Sequence, residues 1–172
     1  MKANRAPRRS GYLLAVDTSS ELLGVGLLPR YEPGTLPADG TVEIDCESEE
    51  IRTLEIDGGL GHVERLAPAV EQLFEIANVT PSDLQGLVAP RGPGSFTGLR
   101  IAVSFLKGIA AATAVNVVLV PTLEAYAEPY RREDALVVSL LDARKGRFYV
   151  QFFRRGEYLT PALDLTPGEI ID

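Results

Sequence analysis

The segment Arg91-Gly-Pro-Gly-Ser-Phe-Thr-Gly-Leu-Arg100 constrains this chain more than any other. Three glycines and a proline fall within eight positions, directly after the apolar run Leu87-Val88-Ala89. The run reads as a short buried strand and the cluster as a tight loop. Ser95 or Thr97 can N-cap a helix from Leu99 to about Thr113. A glycine-rich strand-to-helix turn has two uses. Its N–H groups, with the partial positive charge of the helix N-terminus, can face an anion. Alternatively, Gly92, Gly94 and Gly98 permit only a sharp turn and close packing.

The known phosphate loops do not fit. Walker A needs a lysine after its second glycine, and Lys107 lies two turns into the helix. The dinucleotide fingerprint Gly-x-Gly-x-x-Gly fails because Gly98 comes one residue late after Gly92-Pro93-Gly94. A single histidine, His62, and a single cysteine, Cys46, allow no His-x3-His, His-Glu-x2-His or Cys-x2-Cys metal pattern. A Ser-His-Asp triad would have to use His62, and no Gly-x-Ser-x-Gly elbow accompanies it. One cysteine also rules out a disulfide within the chain and fits a reducing, cytoplasmic location.

At 172 residues and 45% apolar content, the chain can build one domain or two small lobes with a real core. A net charge of −7 makes it a poor nucleic-acid binder on its own. Its basic clusters are local: Arg5, Arg8 and Arg9, then Arg144-Lys145 with Arg147, then Arg154-Arg155. Each reads first as solvated surface. The absence of a run of about 18 apolar residues argues against a transmembrane helix. No apolar segment follows the basic N-terminus to make a signal peptide, so residues 1–10 read as a disordered arm.

Leu13–Val16 reads as a buried strand ending at the polar turn Asp17-Thr18-Ser19-Ser20, with Leu22–Leu28 hairpinned to it. Thr41–Cys46 and Ile51–Ile56 alternate as edge strands, with Cys46 packed in its strand. In His62–Ala77 the residues Val63, Leu66, Ala67, Val70, Leu73, Phe74 and Ala77 form one helical stripe, with Pro68 inside it. A short turn at Thr80-Pro81-Ser82-Asp83 precedes the Leu87 strand. Beyond the glycine-rich loop and its helix come strand Val117–Val120, helix Thr122–Tyr130 and strands Leu136–Leu141 and Arg147–Phe153. This order implies an α/β protein with a mixed sheet, the ribonuclease-H-like lobe of the actin superfamily. The expected division is a full first lobe at 11–114 and a partial second lobe at 115–172.

Four motifs carry a resemblance to the TsaB (YeaZ) family of tRNA-modification proteins. They are Leu14-Ala-Val-Asp-Thr-Ser19, His62-Val-Glu-Arg-Leu-Ala-Pro68, Arg91–Arg100 and Leu141-Asp-Ala-Arg-Lys-Gly146. The resemblance runs from residue 12 to the end. It implies an actin-like two-lobe fold and a role in forming N6-threonylcarbamoyladenosine in tRNA. It also implies partners: a TsaD-like catalytic subunit, a TsaE-like ATPase, and a TsaC enzyme supplying threonylcarbamoyl-adenylate. The TsaB-like subunit is implied to have no catalytic centre, cofactor or metal of its own, with nucleotide and metal on the partner subunits. tRNA is met only through the complex, and the isolated subunit is a homodimer.

The residues agree with the non-catalytic implication. Asp17-Thr18 and Asp142-Ala143-Arg144 lack the glycine that lets backbone approach phosphate, so both turns read as vestigial. A family His-Ser pair is His62-Val63 here, and the chain stops where family members continue, as a short form or a truncation. Two other readings stand beside the scaffold subunit: an actin-like ATPase, kinase or glycoprotease, and a homodimeric binding module. The helix at Leu99–Thr113 carries two apolar stripes, Leu99, Ala102, Val103, Leu106 and Ala110, and Ile101, Phe105, Ile109 and Ala112. A sheet-covering helix needs one stripe, so the second implies a partner. The expected interface comprises His62, Leu66, Val70, Leu99, Arg100, Ala102, Val103, Phe105, Leu106 and Ile109.

Overall fold

The computed structural model describes residues 9–31, 52–57 and 61–171. Most of the basic arm and the proposed Thr41–Cys46 strand, with Cys46, lie outside the described residues.

Five strands form the first sheet: β1 (Arg9–Asp17), β2 (Leu22–Tyr31), β3 (Arg52–Asp57), β4 (Leu84–Gly92) and β5 (Val117–Pro121), in the order β3-β2-β1-β4-β5. β1, β2 and β3 are antiparallel neighbours, while β4 and β5 run parallel to β1. That order and polarity make the ribonuclease-H-like mixed sheet. The central strand β1 is apolar at every position from Tyr12 to Val16, as a strand paired on both edges requires. Its Leu14 and Val16 lie opposite Leu27 and Val25 of β2. Edge strand β3 alternates, with Leu54 and Ile56 packed against the core while Thr53 and Glu55 are exposed.

Two helices cover one face. α1 (His62–Ala77) buries Leu66, Ala69, Val70 and Leu73, a stripe at helical spacing. It runs through Pro68 and ends at Asn78, which takes the left-handed conformation. α2 (Phe96–Thr113) buries Ala102 and Leu106 completely. Among the described residues, α2 is long and apolar enough to cross a bilayer by length and composition. It carries Arg100 and Lys107, and lies against β1, β4 and β5 as the cover of a sheet.

α3 (Thr122–Ala127) links this unit to a second sheet of β6 (Val137–Arg144), β7 (Arg147–Arg154), β8 (Glu157–Tyr158) and β9 (Leu163–Leu165), followed by α4 (Pro167–Ile171). β6 and β7 form a hairpin, and β8 and β9 both pair with β7. α3 touches strands of both sheets. The boundary expected at 114/115 needs correction: β5 hydrogen-bonds to β4, so the first sheet's unit extends to Pro121. A composition shift after α2 does not reveal that the next strand still belongs to the same sheet.

Candidate functional site

Asp17 closes β1, and its Oδ1 accepts the Ser19 N–H at 2.7 Å. This is an Asx turn, in which a carboxylate replaces a backbone acceptor. Asp142 does the same near the end of β6, where its Oδ1 accepts the Arg144 N–H at 2.6 Å. The second oxygen of Asp17 accepts the Tyr126 hydroxyl at 3.2 Å, and Ser19 Oγ lies 3.3 Å from the same hydroxyl. Burial pushes the Tyr126 phenol above its ordinary value, the charge of Asp17 adds to this, and the Ser19 contact opposes it. Tyr126 stays protonated, and so remains a donor, at neutral pH.

The glycine-rich loop packs directly on this turn. Thr18 Oγ1 donates to the Gly98 carbonyl at 2.7 Å, and the Ser95 N–H donates to the Ser19 carbonyl at 2.7 Å. Ser95 is the N-cap of α2, with Oγ accepting the Gly98 N–H at 3.2 Å. A Cβ on Gly98 would stand 1.7 Å from the Thr18 carbonyl oxygen, and one on Gly94 2.8 Å from Ser19 Cβ. Of the two uses the sequence left open for these glycines, close packing is the one this geometry demands. Gly92 ends β4, and Thr97 is exposed in the first turn of α2. Thr18 and Ser19 are buried beneath the loop. Among the described residues, no group of three or more His, Cys, Asp or Glu side chains could hold a metal ion.

The expected interface residues divide into two sets. Val70, Ala102 and Leu106 are buried in the chain's own core, so that part of the expectation is corrected, and Leu66 is also a core residue although it underlies the groove between the helices. Leu99, Val103, Phe105 and Ile109 are half-buried, as is Ile101 of the second stripe, and Arg100 is exposed with its guanidinium 5.4 Å from the Phe96 ring centroid. His62 opens α1. An open groove of ≈ 400 Å³ runs between the two helices, lined by Val63, Thr97, Arg100, Ile101, Ser104 and Phe105, with Leu66 at its base. Val63 is 67% exposed and Phe96 73% exposed, though both are apolar. Together they give the α1–α2 face an apolar floor and one cationic rim residue.

Sequence reasoning missed Tyr126 and Phe96. Tyr126 meets Asp17 across 109 positions, so no local signal marks it. Phe96 shares a helical face with Leu99 and Val103 by spacing, so the sequence offers no signal that it is left exposed.

Compared with protein-family models, residues 58–172 match the one described as "TsaD: tRNA N6-adenosine threonylcarbamoyltransferase". The chain is 33% identical over 142 residues to the tRNA threonylcarbamoyladenosine biosynthesis protein TsaB of Bacillus subtilis, covering 83% of this chain and 55% of that protein. It is 30% identical over 147 residues to TsaB of Escherichia coli, covering 84% and 56%. The solved structure of YeaZ from Pseudomonas aeruginosa superposes with a TM-score of 0.71 at 29% identity, over 91% of this chain and 68% of that one. The chain spans about half the length of the curated relatives it matches. With the family model matched over more than half of its residues, the chain belongs to the TsaD family, and over most of its length it is similar to the proteins named TsaB.

Proposed function

We propose that this protein is a non-catalytic partner subunit in the formation of N6-threonylcarbamoyladenosine in tRNA, pairing with a TsaD-like catalytic subunit through the α1–α2 face. The half-buried second stripe of α2 carries this reading: Ile101 and Phe105 beside exposed Val63 line an apolar groove that the chain's described residues do not fill. Such a surface is stabilised by burial against another apolar face. Helix pairing of this kind typically buries ~1,600 Å² in total. The same face makes a homodimer when the subunit is alone.

The commitment of Asp17 to Ser19 and Tyr126, and of the loop to Thr18 and Ser19, supports the non-catalytic reading. Nucleotide and metal then belong to the partner subunits, a TsaE-like ATPase assists, and the work takes place in the cytoplasm. The names of the relatives, TsaB in both bacteria, support the pathway.

The experiment is deletion of the gene followed by nucleoside mass spectrometry of total tRNA. Threonylcarbamoyladenosine is expected to disappear, and to return with the Asp17→Ala variant expressed in place of the native chain. An unchanged level of the modification in the deletion strain overturns the pathway. Loss of rescue by a folded Asp17→Ala variant overturns the non-catalytic role.

A further inference from the structure

Nothing in the proposed function uses the two cations of the motif Asp142-Ala-Arg-Lys-Gly146. Arg144 pairs with Arg147 across the β6–β7 hairpin, leaving Lys145 and Gly146 as the two turn residues. Arg144, Lys145 and Gly146 have φ of 67°, 56° and 72°. A two-residue turn of this kind needs positive φ at both central positions, and asparagine or glycine meets that need at least cost. Lysine in the turn, with arginine before it, carries the Cβ strain of the left-handed region. The turn holds because Asp142 accepts the Arg144 N–H, which engages that carboxylate with backbone.

Both cationic side chains are exposed, and neither is a member of the ion pairs found among the described residues. Three other arginines of the same lobe are neutralised: Arg147 by Asp164 at 2.7 Å, Arg155 by Asp134 at 2.7 Å and Arg131 by Glu128 at 3.3 Å. No atom lies within 4 Å of a Cβ built on Gly146, so the tip is open to a bulky partner. A hairpin of strained backbone thus presents two adjacent free cations on a chain of net charge −7.

We infer that the Arg144–Lys145 tip contacts the phosphate backbone of RNA. The inference rests on the reading that the protein serves tRNA modification, and it revises the first reading of this cluster as mere solvated surface. Arginine can bind phosphate through a bidentate fork, and lysine as a point charge. The rest of the chain is too acidic to bind RNA alone, so the tip acts within the assembled complex.

The test measures tRNA affinity of the complex with its TsaD-like and TsaE-like partners by fluorescence anisotropy at several salt concentrations. The double variant Arg144→Gln with Lys145→Gln is expected to bind at least about threefold more weakly at low salt, with the slope of log K against log salt reduced by about 1 to 2. Arg154→Gln, the loss of another exposed cation at the far end of β7, is the control and is expected to change neither quantity. Lys145→Asn separates backbone from charge: it relieves the turn, so Tm should rise while RNA affinity falls. Unchanged affinity and slope in the double variant overturn the inference. So does a rise in Tm for Lys145→Asn with no loss of affinity, which would make the turn purely structural. Dissociation of the partner subunit, read by sedimentation, would make the tip a protein contact and also overturn it. The deletion-strain nucleoside assay reports on the pathway independently of all three.

Discussion

A methyl group at Gly98 would have to share space with the carbonyl oxygen of Thr18, 1.7 Å away. Helix propensity alone favours alanine over glycine by about 1 kcal/mol. The obstacle is backbone, however, and cannot rotate aside. We expect Gly98→Ala to lower stability by at least about 2 kcal/mol, the overpacking term exceeding the propensity gain. Urea denaturation decides the sign, and a stabilised variant would mean the loop does not sit on the Asp17 turn. The glycine cluster was legible in the sequence as a tight turn, and Ser95 as one of two cap candidates beside Thr97. Its partner was not, because Thr18 and Gly98 are 80 positions apart and only the β1–β4 pairing brings them together.

At the scale of elements, α2 poses a question that periodicity cannot answer. Both of its stripes are apolar, and they lie about 100° apart on the helix. The packing of α2 on the sheet resolves it: Leu106 is 0% exposed, while Phe105, one residue earlier, lines the groove. Losing the leucine costs about 2–5 kcal/mol, and a buried unpaired carboxylate costs more again. Against a total stability of ~5–15 kcal/mol, Leu106→Glu should not fold. Phe105→Glu should fold, yet lose both the homodimer and the TsaD-like partner. Circular dichroism and sedimentation check the pair. A Phe105→Glu variant that still binds its partner puts the interface elsewhere.

At the scale of the whole molecule, Tyr126 ties α3, which touches both sheets, to the end of β1. Its phenol is raised above the ordinary value of 10.0, mainly by burial. A raised folded-state value means stability that is fully present below the unfolded value and lost as pH climbs through the folded one. The protein should therefore weaken above about pH 10. Tyr126→Phe should be less stable at neutral pH by about 0.5–1.5 kcal/mol but decline less on the alkaline side. Urea midpoints between about pH 8 and 11 test this, and parallel curves for the two proteins would refute it. Acid acts with the opposite sign: hydrogen bonds from the Thr80 side chain and backbone hold Asp83 below its ordinary value, and the Thr166 backbone and side chain do so for Glu169. Their contributions are present above about pH 4 and fade as pH falls. The sequence by itself determined the elements: α1 at His62–Ala77, the capped start of α2, the Asp-ended turns and the ribonuclease-H-like order all follow from local periodicity, caps and turn residues. Tertiary structure alone decided which α2 stripe is spent on the core, why Gly94 and Gly98 are glycine, that β5 completes the first sheet, and that Tyr126 reaches Asp17. The reason is range: hydrophobic pattern and capping act over a few residues along the chain, whereas burial and close approach depend on what the fold brings from far away.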